Sequence, residues 1–482
     1  FGSSHLWHEP GRSSGSHPSR PPAFSSTSRR TKLQGCRPMT NATSAMAHTA
    51  ANEGDTAWVL ASSAMVLLMT PGLAFFYGGL VRDTSIINTM MMSIIAMGII
   101  SIIWALVGFS LAFGEDNPFI GNFKHALFMG LDGETWGEST VWALAFAVFQ
   151  MTFAIISAAI LSGSLVERVR FKAYVLLIAL WSLLVYVPLC HWVWGPGGWM
   201  EEWGALDFAG GTVVHISSGT SGLVAAVILG PRRHEREGDK PNNVPFVLLG
   251  AALLWFGWSG FNGGSALAAD STAARALTAT YLAASASMLS WVGIESVRLK
   301  QPSSVGAMVG AVGGLVVITP AAGFVSPIGA IIMGAVGAPV CYASVLALSK
   351  FEKVDDTLDA FGLHGVGGLT GAIMTGLFAV EDGLFYGGGG ALFGKQIVCA
   401  LVGAAYSAAV TALIFGALCL VMRVRVHDHQ EADGLDEHVH GEQAYSPSKD
   451  YVAGKPKRSF DGASMGDDAN GANVEAQGDV VV

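Results

Sequence analysis

The sequence predicts an all-α membrane protein of eleven transmembrane helices, two inverted five-helix repeats followed by a final long helix. Three observations carry that prediction. The composition is too poor in charge for a water-facing surface, apolar segments recur at the length of a bilayer, and one unusual motif occurs twice.

Of the 482 residues, 51% are hydrophobic and only 13% are charged, with a mean hydropathy of +0.47. A soluble domain carries about a quarter charged residues. The shortfall places much of the outer surface against lipid. The 61 glycines suit closely packed membrane helices, where small residues let backbones approach. The net charge of −9 sits in loops and tails. No basic run with interleaved aromatics points to nucleic acid. The cysteines at 36, 190, 341, 399 and 419 have neither metal nor redox spacing, so no disulfide or metal site is expected. No nucleophile–base set or phosphate loop appears either, and neither an enzyme nor a cofactor is expected.

Apolar segments begin at residue 57. They cover 57–79, 86–113, 140–163, 171–191, 210–230, 244–264, 275–297, 304–321, 325–348, 361–380 and 394–422. Each is about long enough to cross a bilayer. The loop charges test the count. Alternate connections carry Arg82, then Arg168, Arg170 and Lys172, then Arg232, Arg233, Arg236 and Lys240. The series continues with Arg298 and Lys300, then Lys350 and Lys353, and the last helix runs into Arg423 and Arg425. The intervening connections hold few basic residues and several acids, Glu115, Glu134, Glu201 and Glu202 among them. Basic loops favour the cytoplasmic side, which puts the amino terminus outside and the carboxyl tail inside.

Three domains are expected. Residues 1–54, rich in Ser, Pro, Arg and His, cannot bury a core and read as a disordered extension. Met39 or Met46 could initiate the chain, and Asn41-Ala-Thr is a glycosylation sequon on the outer side. The arginine-rich leader is also compatible with a transit peptide; it lacks an apolar stretch of signal-peptide length. Residues 55–422 form the transmembrane domain, with repeats over about 57–230 and 244–380 and a final helix over 394–422. Residues 423–482 form a cytosolic tail, ordered in part to about 445. Its histidines at 427, 429, 438 and 440 are irregularly spaced beside acids and read as a solvated surface.

The internal repeat points to a site. One helix reads Asp207, then His215-x-x-x-Gly219-x-x-Gly222; another reads Asp359, then His364-x-x-x-Gly368-x-x-Gly371. Phe76-Tyr-Gly-Gly in the first helix is echoed by Phe261-Asn-Gly-Gly in the sixth. Five helices per repeat is odd, so the halves oppose one another in the membrane, as in many transport proteins. Ionisable residues inside membrane spans mark pathways by default. Both histidines are therefore expected to line one. The two aspartates could each cap a helix, although Asp359, with Asp355 and Asp356 nearby, also fits a solvated turn.

These segments carry a resemblance. Leu-Met-Thr-Pro-Gly-Leu-Ala-Phe-Phe-Tyr-Gly-Gly-Leu-Val-Arg (68–82) resembles the first-helix signature of the ammonium transporter family (Amt/Mep/Rh). So do Asp-Phe-Ala-Gly-Gly-Thr-Val-Val-His (207–215), Trp-Ser-Gly-Phe-Asn-Gly-Gly-Ser (258–265) and Phe-Gly-Leu-His-Gly-Val-Gly-Gly (361–368). The match runs in order from 57 to about 445 and is closer to the Amt branch than to the Rh branch. It implies transport of ammonium or ammonia, and of methylammonium as a related substrate. It also implies a homotrimer with one pore per subunit, in the plasma membrane, and a tail open to cytosolic regulators.

The resemblance assigns roles residue by residue. Phe153, Trp194 and Ser265 match an outer vestibule where ammonium is recruited, with Gln150 one turn from Phe153. Aromatic faces attract a cation and a hydroxyl accepts its hydrogen bond. By position alone Trp194 would read as part of an interfacial aromatic belt. Phe153 and Phe261 match a paired phenyl gate, and His215 and His364 match the twin histidines of an apolar pore. Asp207 matches an acid that supports the recruitment site without binding ammonium directly. Gly434-Leu-Asp-Glu-His-Val-His-Gly-Glu-Gln-Ala-Tyr resembles the family's regulatory tail segment. His438 stands where plant members carry a phosphorylatable threonine. A sensor of the same fold is the competing reading.

Overall fold

The computed structural model describes residues 50–115, 117–233 and 240–445. The expected amino-terminal extension, Asn41, Cys36 and the tail beyond 445 lie outside the described residues, apart from residues 50–54.

The described chain is all-α, with three isolated β-bridges and no strand. Eleven apolar helices follow one another: α1 Glu53–Leu80, α2 Ile86–Phe113, α3 Ala143–Ser164, α4 over 171–194, α5 Gly211–Leu229 and α6 Val244–Gly264. The second half adds α7 Ser271–Arg298, α8 Ser304–Ile318, α9 Pro327–Leu348, α10 Phe361–Phe378 and α11 Ala391–Val421. Polar caps set several starts. Asn52 accepts from Gly54 N at 2.8 Å at the head of α1, Asn243 from Phe246 N at 3.0 Å at α6, and Asp270 from Thr272 N at 2.8 Å at α7. Each satisfies amides that no helical carbonyl can reach. On the outer faces Leu413 is 73% and Leu420 88% exposed, apolar side chains of the kind that suit a membrane-embedded surface.

One span departs from expectation. The eighth segment reads as 304–321, but α8 ends at Ile318 after 15 residues. At 1.5 Å per residue it rises only about 22 Å, short of the ~30 Å hydrocarbon core. Pro320 accounts for the stop, since it has no amide to donate back into the helix; Thr319 before it still keeps helical angles, φ −51° and ψ −47°. Tight turns continue from Thr319 to Val325, with Ala321 N donating to Ile318 O at 2.9 Å. Non-helical backbone at this depth survives only inside protein, and Thr319, Ala321 and Val325 are fully buried.

The repeat is visible in the packing. α1 lies along α6, and α5 crosses α10. First helix meets first and fifth meets fifth, as an axis in the membrane plane requires. A Cβ on Gly250 of α6 would strike the backbone of Phe76 on α1. One on Gly219 of α5 would strike Gly365 on α10, so this crossing has no room for a side chain.

A buried ion-pair network gathers the loops at the end where α1 and α5 finish. Of the basic residues in these loops, Arg168 is fully buried. Its guanidinium donates to the carbonyls of Gly230, Ser164 and Asp355 and to Thr357 Oγ1. Glu167 accepts Arg82 Nε at 3.0 Å and Arg232 Nη1 at 2.6 Å, and Arg232 Nε reaches Asp355 at 2.9 Å. The tail docks on this platform through α12, Asp428–Asp433. Glu431 accepts Arg425 Nη2 at 2.7 Å, and Asp436 accepts the Asn88 amide near the start of α2 at 2.8 Å.

The network predicts a pH response. Burial raises the Asp355 carboxyl, but Arg168 and Arg232 outweigh it and hold that group down to about 2. Burial likewise works against ionised Glu167, and Arg232 and Arg82 overcome it to hold it below its ordinary value. A group depressed in the folded state contributes stability above its unfolded pKa and loses it as pH falls through the folded value. The unfolding midpoint in detergent is therefore expected to fall between about pH 4 and pH 2. A midpoint that stays level across that window would contradict the assignment.

Candidate functional site

The two intramembrane histidines meet. His215 sits on a wide π turn, Gly211–Ile216, at the head of α5, and His364 on its counterpart, Phe361–Gly365, at the head of α10. Such turns recur at functional sites. The α5–α10 crossing brings the rings to a centroid separation of 5.2 Å, nearly parallel at 25°. His215 Nδ1 and His364 Nδ1 are 3.1 Å apart. For two neutral rings, one Nδ1 must donate and the other accept, so the pair holds opposite tautomers. His215 Nε2 is buried without a hydrogen-bond partner among the described residues.

Each histidine turn hangs from a carboxylate. Asp207 Oδ1 accepts from Gly210 N at 2.8 Å and Gly211 N at 2.6 Å. Its Oδ2 accepts from Thr212 N at 2.7 Å and Val213 N at 3.3 Å. Both oxygens are thus engaged by backbone, which suits a supporting residue. At α10 the residue in this role is Asp356, where the sequence pattern suggests Asp359. Asp356 Oδ2 accepts from Phe361 N at 2.7 Å and Gly362 N at 3.3 Å, and its Oδ1 from Ser164 Oγ at 2.6 Å. Asp355 and Asp356 are buried, so the solvated-turn reading fails for them. Asp359 takes a left-handed backbone with φ 55°. The signal was available: Asp207 precedes His215 by the same eight residues by which Asp356 precedes His364.

Aromatic rings continue the line from His215. Phe261 stands 6.0 Å from it at 28°, and Phe153 stacks on Phe261 at 4.2 Å and 25°. Trp194 meets Phe153 edge-on at 6.1 Å, and its Nε1 donates to Asp207 O at 2.7 Å. Trp194 is therefore fixed beside the site. Ser265 Oγ–H donates to Phe261 O at 2.8 Å, which leaves the oxygen's lone pairs free to accept. Gln150 is buried one turn before Phe153, with its carbonyl oxygen unpartnered. Two residues escaped the sequence reading: Trp258, stacked on His215 at 5.5 Å and 19°, and Thr319, which accepts its indole N–H at 2.9 Å. A tryptophan in an apolar helix gives no sign of which ring it faces.

Beneath the phenyl pair lies a cavity of about 10 Å³, which takes about one water-sized molecule. Apart from His215 and His364 its walls are apolar, Leu73, Ile156, Leu254 and Val312 among them.

A multi-span helical bundle with inverted halves and a small apolar cavity at their interface has the build of a membrane transport protein. The profile of the Ammonium Transporter Family matches residues 57–445. An ammonium transporter of Bacillus subtilis is 46% identical over 403 residues, 82% of this chain and 99% of that protein. One of Aquifex aeolicus is 47% identical over 402 residues, 82% of this chain and 93% of that protein. Among solved structures, Saccharomyces cerevisiae Mep2 superposes with a TM-score of 0.76 at 33% identity, covering 84% of this chain and 94% of that one. A structure described as a sensor Amt protein gives 0.74 at 30% identity, covering 80% and 98%. The chain belongs to the ammonium transporter family and is an integral membrane protein.

Proposed function

We propose that this chain takes up ammonium by recruiting the ion at an outer vestibule and conducting ammonia through a pore lined by His215 and His364. One observation supports the reading above others: the rings of Trp194, Phe153, Phe261, His215 and His364 stand in an unbroken row, each within 6.1 Å of the next. Trp194 and Phe153 offer aromatic faces to a cation, and Ser265 and Gln150 offer oxygens.

The stacked Phe153 and Phe261 form the gate. Beyond it, a bare ammonium ion would lose its hydration at an idealised cost of order 20 kcal/mol, and two imidazoles cannot replace a water shell. Shedding the proton at the gate avoids that cost. Ammonia then passes along the histidines, each neutral ring offering one donor and one acceptor, and is reprotonated inside. Potassium has no proton to shed and is refused; methylammonium can follow the same route if it fits. Where the proton goes sets the net charge moved. Passage along the histidines gives an electrogenic cycle, so an ammonium pulse to proteoliposomes should drive a current. Matched flux without current favours net ammonia conduction.

The transporter domain spans residues 55–422, and the tail from 423 lies in the cytosol as a docking place for regulators. The assembly is a homotrimer in the plasma membrane with the amino terminus outside. The competing reading, a sensor that conducts little, has support in the neighbour described as a sensor Amt protein. Expression in cells lacking ammonium uptake separates the two. Growth restored on low ammonium is the expected result, and expression without rescue would favour the sensor.

A further inference from the structure

A ring held by one hydrogen bond can turn about its Cβ–Cγ axis. His215 is such a ring. Its Nδ1 pairs with His364, and its Nε2 is buried without a hydrogen-bond partner among the described residues. Its plane must therefore be set by what lies against its faces.

One neighbour is itself locked. Trp258 is 1% exposed and stacks on His215 at 5.5 Å and 19°, within the usual range for aromatic pairs. Its Nε1–H donates to Thr319 Oγ1 at 2.9 Å. The Thr319 hydroxyl spends its own proton on Leu315 O at 2.7 Å, so towards the indole it can only accept. The polarity of this chain is fixed throughout: indole to hydroxyl to carbonyl. Thr319 is the residue that directly follows the last residue of α8, Ile318, and is fully buried.

We propose that Trp258, held by Thr319, is a positioning residue for the pore: it fixes the plane of His215, so that Nδ1 points at His364 and Nε2 is left for the permeant molecule. The inference rests on the pore reading above. Neither residue belongs to the proposed recruitment site, so the two stages of transport respond differently to its loss.

The test is concentration-dependent ammonium flux in proteoliposomes, normalised to inserted protein, for Thr319→Val, Thr319→Ser and His215→Ala beside wild type. Thr319→Val keeps the side chain's shape and removes the acceptor. Its maximal flux is expected to fall about tenfold, the factor that losing one buried hydrogen bond can produce, while half-saturation stays at the wild-type concentration. Thr319→Ser restores the acceptor and is expected to recover most of the flux. If Thr319→Val fails to insert, Trp258→Phe, which keeps an aromatic face without the N–H, is read in its place with the same expectation. Wild-type maximal flux in the acceptor-free variant beside an impaired His215→Ala overturns the positioning role alone. So does a loss that Thr319→Ser does not recover, or one that moves half-saturation equally. Wild-type flux in His215→Ala overturns the pore reading and this inference with it.

Discussion

Replacing His215 or His364 with alanine is expected to lower ammonium flux about a hundredfold. Among the described residues, each ring is the other's only hydrogen-bond partner, through Nδ1 atoms 3.1 Å apart. Truncating one orphans a buried polar group in the other, which costs about 1–3 kcal/mol. The truncation also removes half of the donors and acceptors that a molecule of ammonia could meet in a cavity otherwise walled by apolar side chains. Together these losses raise the barrier by about 3 kcal/mol, or two decades in rate. The measurement is flux per inserted protein at saturating ammonium. Either variant running at the wild-type rate would remove the histidines from the mechanism.

The second large effect concerns Asp207. Asp207→Ala removes an acceptor from four backbone amides at once, those of Gly210, Gly211, Thr212 and Val213. These amides head the π turn that carries His215. Each unpaired amide costs about 1–3 kcal/mol where water cannot reach it, so the local loss is several kcal/mol. The variant is expected to unfold at a markedly lower temperature in detergent and to lose flux. Asp207→Asn, which keeps one carbonyl acceptor, should fall between it and wild type. A wild-type melting temperature in Asp207→Ala would show that the turn stands without its carboxylate. Asp356→Ala tests the mirror position and should behave alike, because Asp356 holds the amides of Phe361 and Gly362.

Much of this protein is legible along the chain. The eleven apolar segments give the helices to within a few residues, save where Pro320 stops α8 early. The twin His-x-x-x-Gly-x-x-Gly pattern locates the meeting point of α5 and α10, since glycines at that pitch are what a close crossing needs. The phenyl pair and Trp194 owe their assignment to resemblance; no spacing of Phe153, Trp194 and Phe261 announces that their rings will stand in a row.

Hydropathy and periodicity are properties of a chain read in order, so the sequence by itself determined the membrane class, the helices, the inverted halves and the two histidines. Only the tertiary structure decided that Arg168 is buried among carbonyls and that Trp258 lies on His215. Each depends on where a side chain arrives after helices from opposite halves have crossed. A partner 100 residues away leaves no trace in local pattern, because the hydrogen bond or stacked face that selects it exists only once the backbones have been brought together.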